Sequence, residues 1–319
     1  MIKTLLFGPA NAGKTSLMRR ACLGYAFTKV SDLKPTKGIS RENFIFRGLL
    51  EITIWDSGGQ ETYLEKYFTD QKDAVFSEVE IPIFMVDSIV TDSRVKEIFD
   101  AFLEALLEFS PQTLNIYVFL NKIDLEESQE DEVYSILTKG LDKTILEKCK
   151  FTPVSVKTGS AQHRLIEILD THIQKSQLET HRLNEIRTTL EKLKSRLHYE
   201  LFLFNLPDGL VISSTLGEFE VEPLKYMKLE LGSLESNVHS VFSEILKMRS
   251  GKMVPIDLSL LVYESPTHLV LVKDFMETAV LVFFSDAKNY ASISEILKLF
   301  TSNNEDLEYL RKLLKVRRF

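Results

Sequence analysis

The sequence predicts an α/β domain with a mostly parallel sheet, followed by a smaller α+β domain with an antiparallel sheet. Three observations carry this prediction. Up to about Lys175, short β-branched and aromatic runs alternate with amphipathic stretches of helix length. A glycine-rich loop joins the first such run to the first helix. Beyond Lys175 the order becomes helix, two strands, helix, three strands, helix. Strand–helix alternation builds a parallel sheet covered by helices on both faces, because each crossover must return over the sheet. A chain of 319 residues has material for two domains, each with its own core.

In the first half the predicted strands are Ile2–Phe7, Leu49–Trp55, Ile81–Val86, Ile116–Leu120 and Phe151–Ser155, with Glu42–Phe46 as an edge strand. The predicted helices are Lys14–Leu23, Arg94–Glu108, Glu130–Cys149 and Ala161–Lys175. Ser176–Leu197 is polar, with Leu178, Ile186, Leu190, Leu193 and Leu197 at helical intervals, and reads as a connecting or packing helix. Glu200–Phe204 and Leu210–Ser214 flank Asn205-Leu206-Pro207-Asp208-Gly209, a hairpin signal because Asp-Gly supplies positive-φ positions. Leu234, Val238, Val241, Phe242, Ile245 and Met248 make one stripe over Leu231–Met248, with Gly251 placed to end that helix. Leu258–Tyr263, Leu269–Lys273 and Thr278–Phe284 are then strands, and Tyr290–Phe300 a helix. The division falls at residues 1–176 and 177–319.

Composition narrows the class. At 44% hydrophobic and 27% charged the chain is average for a folded protein. A net charge of −7 repels a phosphate backbone and speaks against nucleic acid as a partner. The longest apolar run, Ala279–Phe284, has six residues, against about 20 needed to span a bilayer. The opening Met1-Ile2-Lys3-Thr4-Leu5 lacks a signal-peptide layout, and Ile2 stands where N-myristoylation needs glycine. The expectation is a cytoplasmic protein. Cys22 and Cys149, the only cysteines, sit in no metal or redox spacing. His163, His172 and His181 are nine residues apart, which on a helix turns neighbours to opposite faces and excludes a shared metal. Leu307, Leu310 and Leu314 with Arg311, Lys312, Lys315, Arg317 and Arg318 form an amphipathic C-terminal helix. Packing on its own sheet is the favoured reading, contact with an anionic membrane the other.

Gly8-Pro9-Ala10-Asn11-Ala12-Gly13-Lys14-Thr15 fits G-x-x-x-x-G-K-[ST] between a strand and a helix. Gly8 and Gly13 let successive backbone N–H groups, including those of Ala10, Asn11 and Ala12, face phosphate oxygens at a helix N-terminus. Lys14 is placed for the β- and γ-phosphates and the Thr15 hydroxyl for Mg2+. Asn121-Lys122-Ile123-Asp124 follows a buried-type strand, at the end where α/β sheets bind ligands. The Asp124 carboxylate can accept from guanine N1–H and its amine, a donor pair adenine lacks. Asn121 would tie this loop to the phosphate loop, and the Lys122 stem would lie over the base. Ser155-Val156-Lys157 can cap guanine O6 with a backbone N–H. In Trp55-Asp56-Ser57-Gly58-Gly59-Gln60, Asp56 is placed to hold Mg2+, Gly59 to donate to the γ-phosphate and Gln60 to orient water. Thr36, in Lys34-Pro35-Thr36-Lys37-Gly38, would close over the metal. The candidate catalytic set is Gln60, Lys14 and Thr36.

Together these motifs resemble the Ras-like small GTPases over residues 1–175. Trp55-Asp56-Ser57-Gly58-Gly59-Gln60 resembles the Rag/Gtr and Arf groups. The stretch Tyr67-Phe68-Thr69-Asp70-Gln71-Lys72-Asp73-Ala74-Val75-Phe76-Ser77-Glu78-Val79, continued by Phe109-Ser110-Pro111, is similar to Rag/Gtr proteins. That resemblance implies a roadblock (longin-like) second domain, and the element order after Lys175 matches one. It further implies GTP/GDP and Mg2+ as ligands, and slow hydrolysis helped by activating and exchange partners. Also implied are homo- or heterodimerisation through residues 177–319, and nutrient or membrane-surface signalling. Membrane contact would be indirect or through the C-terminal helix. Two departures stand out: Asn121 replaces the histidine of many Rag GTPases, and Pro35-Thr36-x-Gly38 looks Arf-like, as in a divergent, early-branching or archaeal relative. An Arf-like trafficking GTPase and a nucleotide-locked scaffold remain as alternatives.

Overall fold

The strands Ile2–Phe7 (β1), Ile39–Phe46 (β2), Leu50–Ser57 (β3), Ile81–Asp87 (β4), Ile116–Asn121 (β5) and Cys149–Pro153 (β6) make one six-stranded sheet in the computed structural model, ordered β2-β3-β1-β4-β5-β6. The structure describes residues 2–216 and 260–315, apart from 24, 26, 32, 35, 48–49, 176, 207–208, 265, 277 and 287–290. The predicted Leu231–Met248 helix, Gly251 and the start of the Leu258–Tyr263 strand lie outside the described residues. The chain divides into two units, Met1–Ile45 with Leu50–Thr171 and Phe46–Leu49 with His172–Phe319.

In the first unit β1 pairs in parallel with β3 and β4, and the parallel ladder continues through β5 to β6. Every residue of β4 and β5 is buried, as expected of central strands covered on both faces. Lys14–Leu23 (α1) follows β1 as predicted, and Ser93–Phe109 (α5) follows β4 with the Asp92 side chain accepting from the Arg94 N–H at its start. Phe7, Phe76, Phe84, Phe99 and Phe102 pack as a buried aromatic cluster, with Phe7 and Phe102 centroids 5.3 Å apart. This cluster anchors the carboxyl ends of β1 and β4, where the candidate site begins.

The predicted helix Glu130–Cys149 is two helices, Glu130–Thr138 (α6) and Lys143–Lys148 (α7). Gly140 at φ 75° ends the first, and Cys149 joins β6 opposite Ile116. Sequence analysis also missed three short helices, Phe27–Val30 (α2), Glu61–Phe68 (α3) and Lys72–Phe76 (α4). Ser160–Lys175 (α8) matches expectation within a residue.

The second unit holds an antiparallel sheet of Glu200–Asn205 (β7), Val211–Ser214 (β8), Leu260–Glu264 (β9), His268–Met276 (β10) and Ala279–Asp286 (β11), ordered β8-β7-β11-β10-β9. Ile186, Leu190, Leu193 and Leu197 of Gln177–Leu197 (α9) bury one stripe in a cluster with Leu201, Leu203, Leu271 and Leu281. Ala291–Thr301 (α10) and Glu305–Leu314 (α11) join the same cluster through Ile296, Leu299, Leu307, Leu310 and Leu314. The apolar stripe of the C-terminal helix is therefore used in packing. Tyr309 Oη donates to Glu185 Oε1 at 2.7 Å, and Arg196 pairs with Asp306 at 3.2 Å, fixing α11 beside α9. The other sheet face carries a second buried cluster of Phe202, Phe204, Val211, Val272, Val280 and Val282. Among the described residues no helix is long and apolar enough to cross a membrane, and no three or more histidine, cysteine or carboxylate side chains cluster as a metal site.

Candidate nucleotide-binding site

At the carboxyl ends of β1, β3, β4 and β5 lies a cavity of about 560 Å³, a volume in the range of small-molecule sites. Its lining includes Ala10, Asn11, Gly13, Lys14 and Thr15 from one loop, Thr36 and Gln60 from two others, and Asn121, Lys122, Asp124, Val156 and Lys157 at the far end. Motifs separated by up to 147 residues thus converge on one space.

The loop between β1 and α1 has little freedom. Gly8 takes φ 137°, and a Cβ there would lie 2.1 Å from the Met85 carbonyl oxygen on β4. Only glycine fits that turn. Lys14 is buried, and its Nζ donates to the Gly8 and Pro9 carbonyl oxygens, each at 2.7 Å. Burial pushes the Lys14 ammonium down to about 8, with the Asp56 carboxylate acting the other way.

Asp56, at the end of β3, is fully buried. Its Oδ2 accepts from Thr15 Oγ1 at 2.5 Å and Thr36 Oγ1 at 3.2 Å, and the two hydroxyls lie 2.7 Å apart. Its Oδ1 is buried without a partner. Burial raises the Asp56 carboxyl above the usual carboxylate range, against the Thr15 hydrogen bond, Lys14 and the Thr36 hydrogen bond. The two hydroxyls gathered on Asp56 Oδ2, together with a buried carboxylate oxygen that has no partner, form a set of hard oxygen donors that suits a hard divalent cation.

Glycines let the neighbouring segments close on this centre. The Gly58 N–H donates to the Gly38 carbonyl oxygen at 2.8 Å, and a Cβ on Gly58 would lie 2.5 Å from the Thr36 carbonyl oxygen. A Cβ on Gly59 would lie 2.3 Å from the Ala10 nitrogen. Gln60 follows at the N-cap of α3, exposed, with no hydrogen bond from its side chain to the helix.

The far end is held by Asn121. Its Nδ2 donates to the Ala12 carbonyl oxygen at 2.9 Å, and its Oδ1 accepts from the Val156 N–H at 3.0 Å. Asn121 does tie this loop to the phosphate loop, and it also engages the Val156 amide. Asp124 Oδ1 accepts from Ser155 Oγ at 2.5 Å, and its Oδ2 lies 3.5 Å from Lys157 Nζ. Lys122 takes φ 71°, and its ammonium pairs with Asp87 at the end of β4. Sequence reading missed Asp87, Phe27, Val30 and Leu125, all of which line the cavity. The position of Asp87 at a strand's carboxyl end was the one available signal for it.

Comparison with known proteins shows the family. Residues 3–221 match the Gtr1/RagA G protein conserved region. The chain belongs to the Gtr1/RagA G protein family. It is 30% identical to the GTP-binding protein GTR1 of Saccharomyces cerevisiae over 223 residues, 68% of this chain and 69% of that protein. It is 31% identical to the GTP-binding protein gtr1 of Schizosaccharomyces pombe, again over 68% and 69%. Ras-related GTP-binding protein A of Dictyostelium discoideum is 33% identical over 135 residues, 41% of this chain and 44% of that protein. Membership makes this Gtr1/RagA chain a GTP-binding small GTPase with GTP or GDP as its ligand.

Proposed function

We propose that residues 1–176 form a GTPase domain that binds GTP or GDP with Mg2+, hydrolyses GTP slowly and switches between two states. In this reading Gly8, Ala10, Asn11, Ala12, Gly13, Lys14 and Thr15 hold the phosphates, and the Gly59 N–H reaches the γ-phosphate. Thr15, Thr36 and Asp56 hold Mg2+. The observation that carries the reading is the Thr15–Thr36–Asp56 cluster, with an unpartnered Asp56 Oδ1 on a carboxylate that also feels the charge of the buried Lys14. When bound, the cation neutralises charge between the β- and γ-phosphates.

The remaining work falls to the chain itself. Lys14 stabilises charge that builds on the phosphates as the bond to the leaving group lengthens. Gln60 orients the attacking water in line with that bond. Asn121, Lys122 and Asp124 select and hold guanine, with Ser155, Val156 and Lys157 closing over its O6 edge. Loss of the γ-phosphate releases Thr36 and Gly59, and with them Lys34–Gly38 and Asp56–Tyr67. Residues 177–319 form a roadblock-like unit that dimerises, with itself or with a related GTPase, and the pair serves nutrient or membrane-surface signalling.

The test is single-turnover hydrolysis of GTP loaded on the full chain with Mg2+, beside Gln60→Leu. Intrinsic turnover on the order of 10⁻⁴ per second, abolished by the substitution, supports a slow switch. Turnover equal in both proteins removes Gln60 from the mechanism. Sedimentation of the full chain over a concentration series tests dimerisation, and a monomer at all concentrations overturns self-association.

A further inference from the structure

Arg20 belongs to none of the nucleotide motifs, yet its side chain joins three parts of the cavity wall. It stands in the last turn of α1, the helix whose first turn carries Lys14 and Thr15. Its Nη1 donates to the Val156 carbonyl oxygen and, at 3.1 Å, to the Lys157 carbonyl oxygen. Its Cζ lies 5.8 Å from the Phe27 ring centroid. Phe27, Val156 and Lys157 all line the cavity.

The chemistry of this contact is selective. Burial opposes the charge of Arg20, and its Nε is buried without a partner. The cation therefore sits at a cost that its bonds to the two carbonyls offset. Both bonds leave one nitrogen, Nη1, whose direction is fixed by the rigid guanidinium plane, whereas an ammonium is a point charge on a flexible stem. The two carbonyls belong to the loop that also holds Asp124, through Ser155 Oγ and Lys157 Nζ.

We propose that Arg20 is a positioning residue that clamps the Ser155–Lys157 loop to α1 and so sets how long a guanine nucleotide stays bound. The proposal rests on the guanine-nucleotide reading above. With the clamp in place, the phosphate loop and the base loop hold one register across the cavity. Without it, the base loop and Asp124 move away from the guanine edge while the phosphate cluster is untouched. A simple helix-end role differs in its consequence: a cation near the α1 C-terminus favours the helix dipole, and lysine serves that as well as arginine.

The experiment follows release of fluorescently labelled GDP from the full chain after a chase with unlabelled GDP. Arg20→Gln is expected to release about tenfold faster or more, the scale of losing a charge-assisted hydrogen bond. Hydrolysis of prebound GTP in a single turnover is expected to keep its rate constant. Arg20→Lys, which preserves charge, recovers only part of the retention. Unchanged release in Arg20→Gln, or full recovery in Arg20→Lys, overturns the clamp. A wild-type chain that retains no guanine nucleotide overturns the underlying reading as well, so the two failures are distinguishable.

Discussion

Replacing Asn121 with alanine isolates the link between the two halves of the cavity. The side chain is 2% exposed, and it donates to the Ala12 carbonyl and accepts from the Val156 amide. A Cβ on Gly13 would lie 2.5 Å from Asn121 Nδ2, so the amide packs directly against the phosphate loop. Alanine leaves a carbonyl and an N–H without partners, each costing about 1–3 kcal/mol when buried. Water entering from the adjacent cavity recovers part of that, leaving about 2–4 kcal/mol. With an m-value of about 2 kcal/mol/M in urea, the unfolding midpoint of the first unit falls by about 1–2 M. Trp55, the single tryptophan, lies in β3 and reports on that unit alone. The comparison is made on nucleotide-free protein. Fluorescence midpoints that agree within about 0.2 M, with guanine nucleotide affinity alone reduced, would refute the reasoning. Asn121 would then act on the ligand and not between the loops.

Two further outcomes test other parts of the chain. Lys3 is pushed down to about 8, by burial first and the Arg41 charge second, and Lys3 Nζ and Arg41 Cζ lie 3.9 and 3.8 Å from the Trp55 ring centroid. Its folded value is below the ordinary 10.5, so the unfolded chain keeps a proton the folded chain releases, and stability rises with pH across that window. Urea midpoints between pH 8 and 10 are expected to climb less steeply in Lys3→Met, and equal slopes count against the assignment. Leu310→Ala removes a fully buried side chain from the second unit and is expected to cost about 2–5 kcal/mol. Hydrogen exchange should then speed up across α9 and α11, and unchanged exchange would mean that α11 is not held by this stripe.

Legibility in the sequence followed how local the determining interactions are. The phosphate loop and the Asn121–Asp124 loop were readable because each motif lies within a few residues of a strand end. Strands β4 and β5 were readable as continuous apolar runs of strand length. Arg20 and Asp87 were not, since their partners lie 136 and 35 residues away and no spacing rule connects them. The short helices α2 and α4, of four and five residues, carry too little periodicity to detect. Gly140 is a different case: a glycine inside a predicted helix is a stop signal, and its positive φ divides Glu130–Cys149 as that signal indicates.

The geometry around Gln60 also gives a physical reason for the slow hydrolysis proposed here. Gly58 is bonded to Gly38 and Gly59 is pressed against the phosphate loop, so the backbone leading to Gln60 is well placed. The Tyr63 and Leu64 N–H groups donate to the Gln60 carbonyl oxygen, each at 3.0 Å, and so fix the start of α3. Tyr67, buried with its ring 6.1 Å from that of Phe7, anchors the same helix in the core. The Gln60 side chain is exposed despite this scaffold, and among the described residues no arginine lines the cavity. Electrostatic catalysis depends on donors already aimed at the developing charge, because reorganising them during the reaction raises the barrier. A site with an ordered backbone and an unheld glutamine therefore lacks one fixed donor and, beyond the buried Lys14, a second fixed cation. A partner that packs on the exposed rim can supply both at once: it immobilises Gln60 and brings in a positive charge, an addition worth about 10³–10⁵-fold in rate.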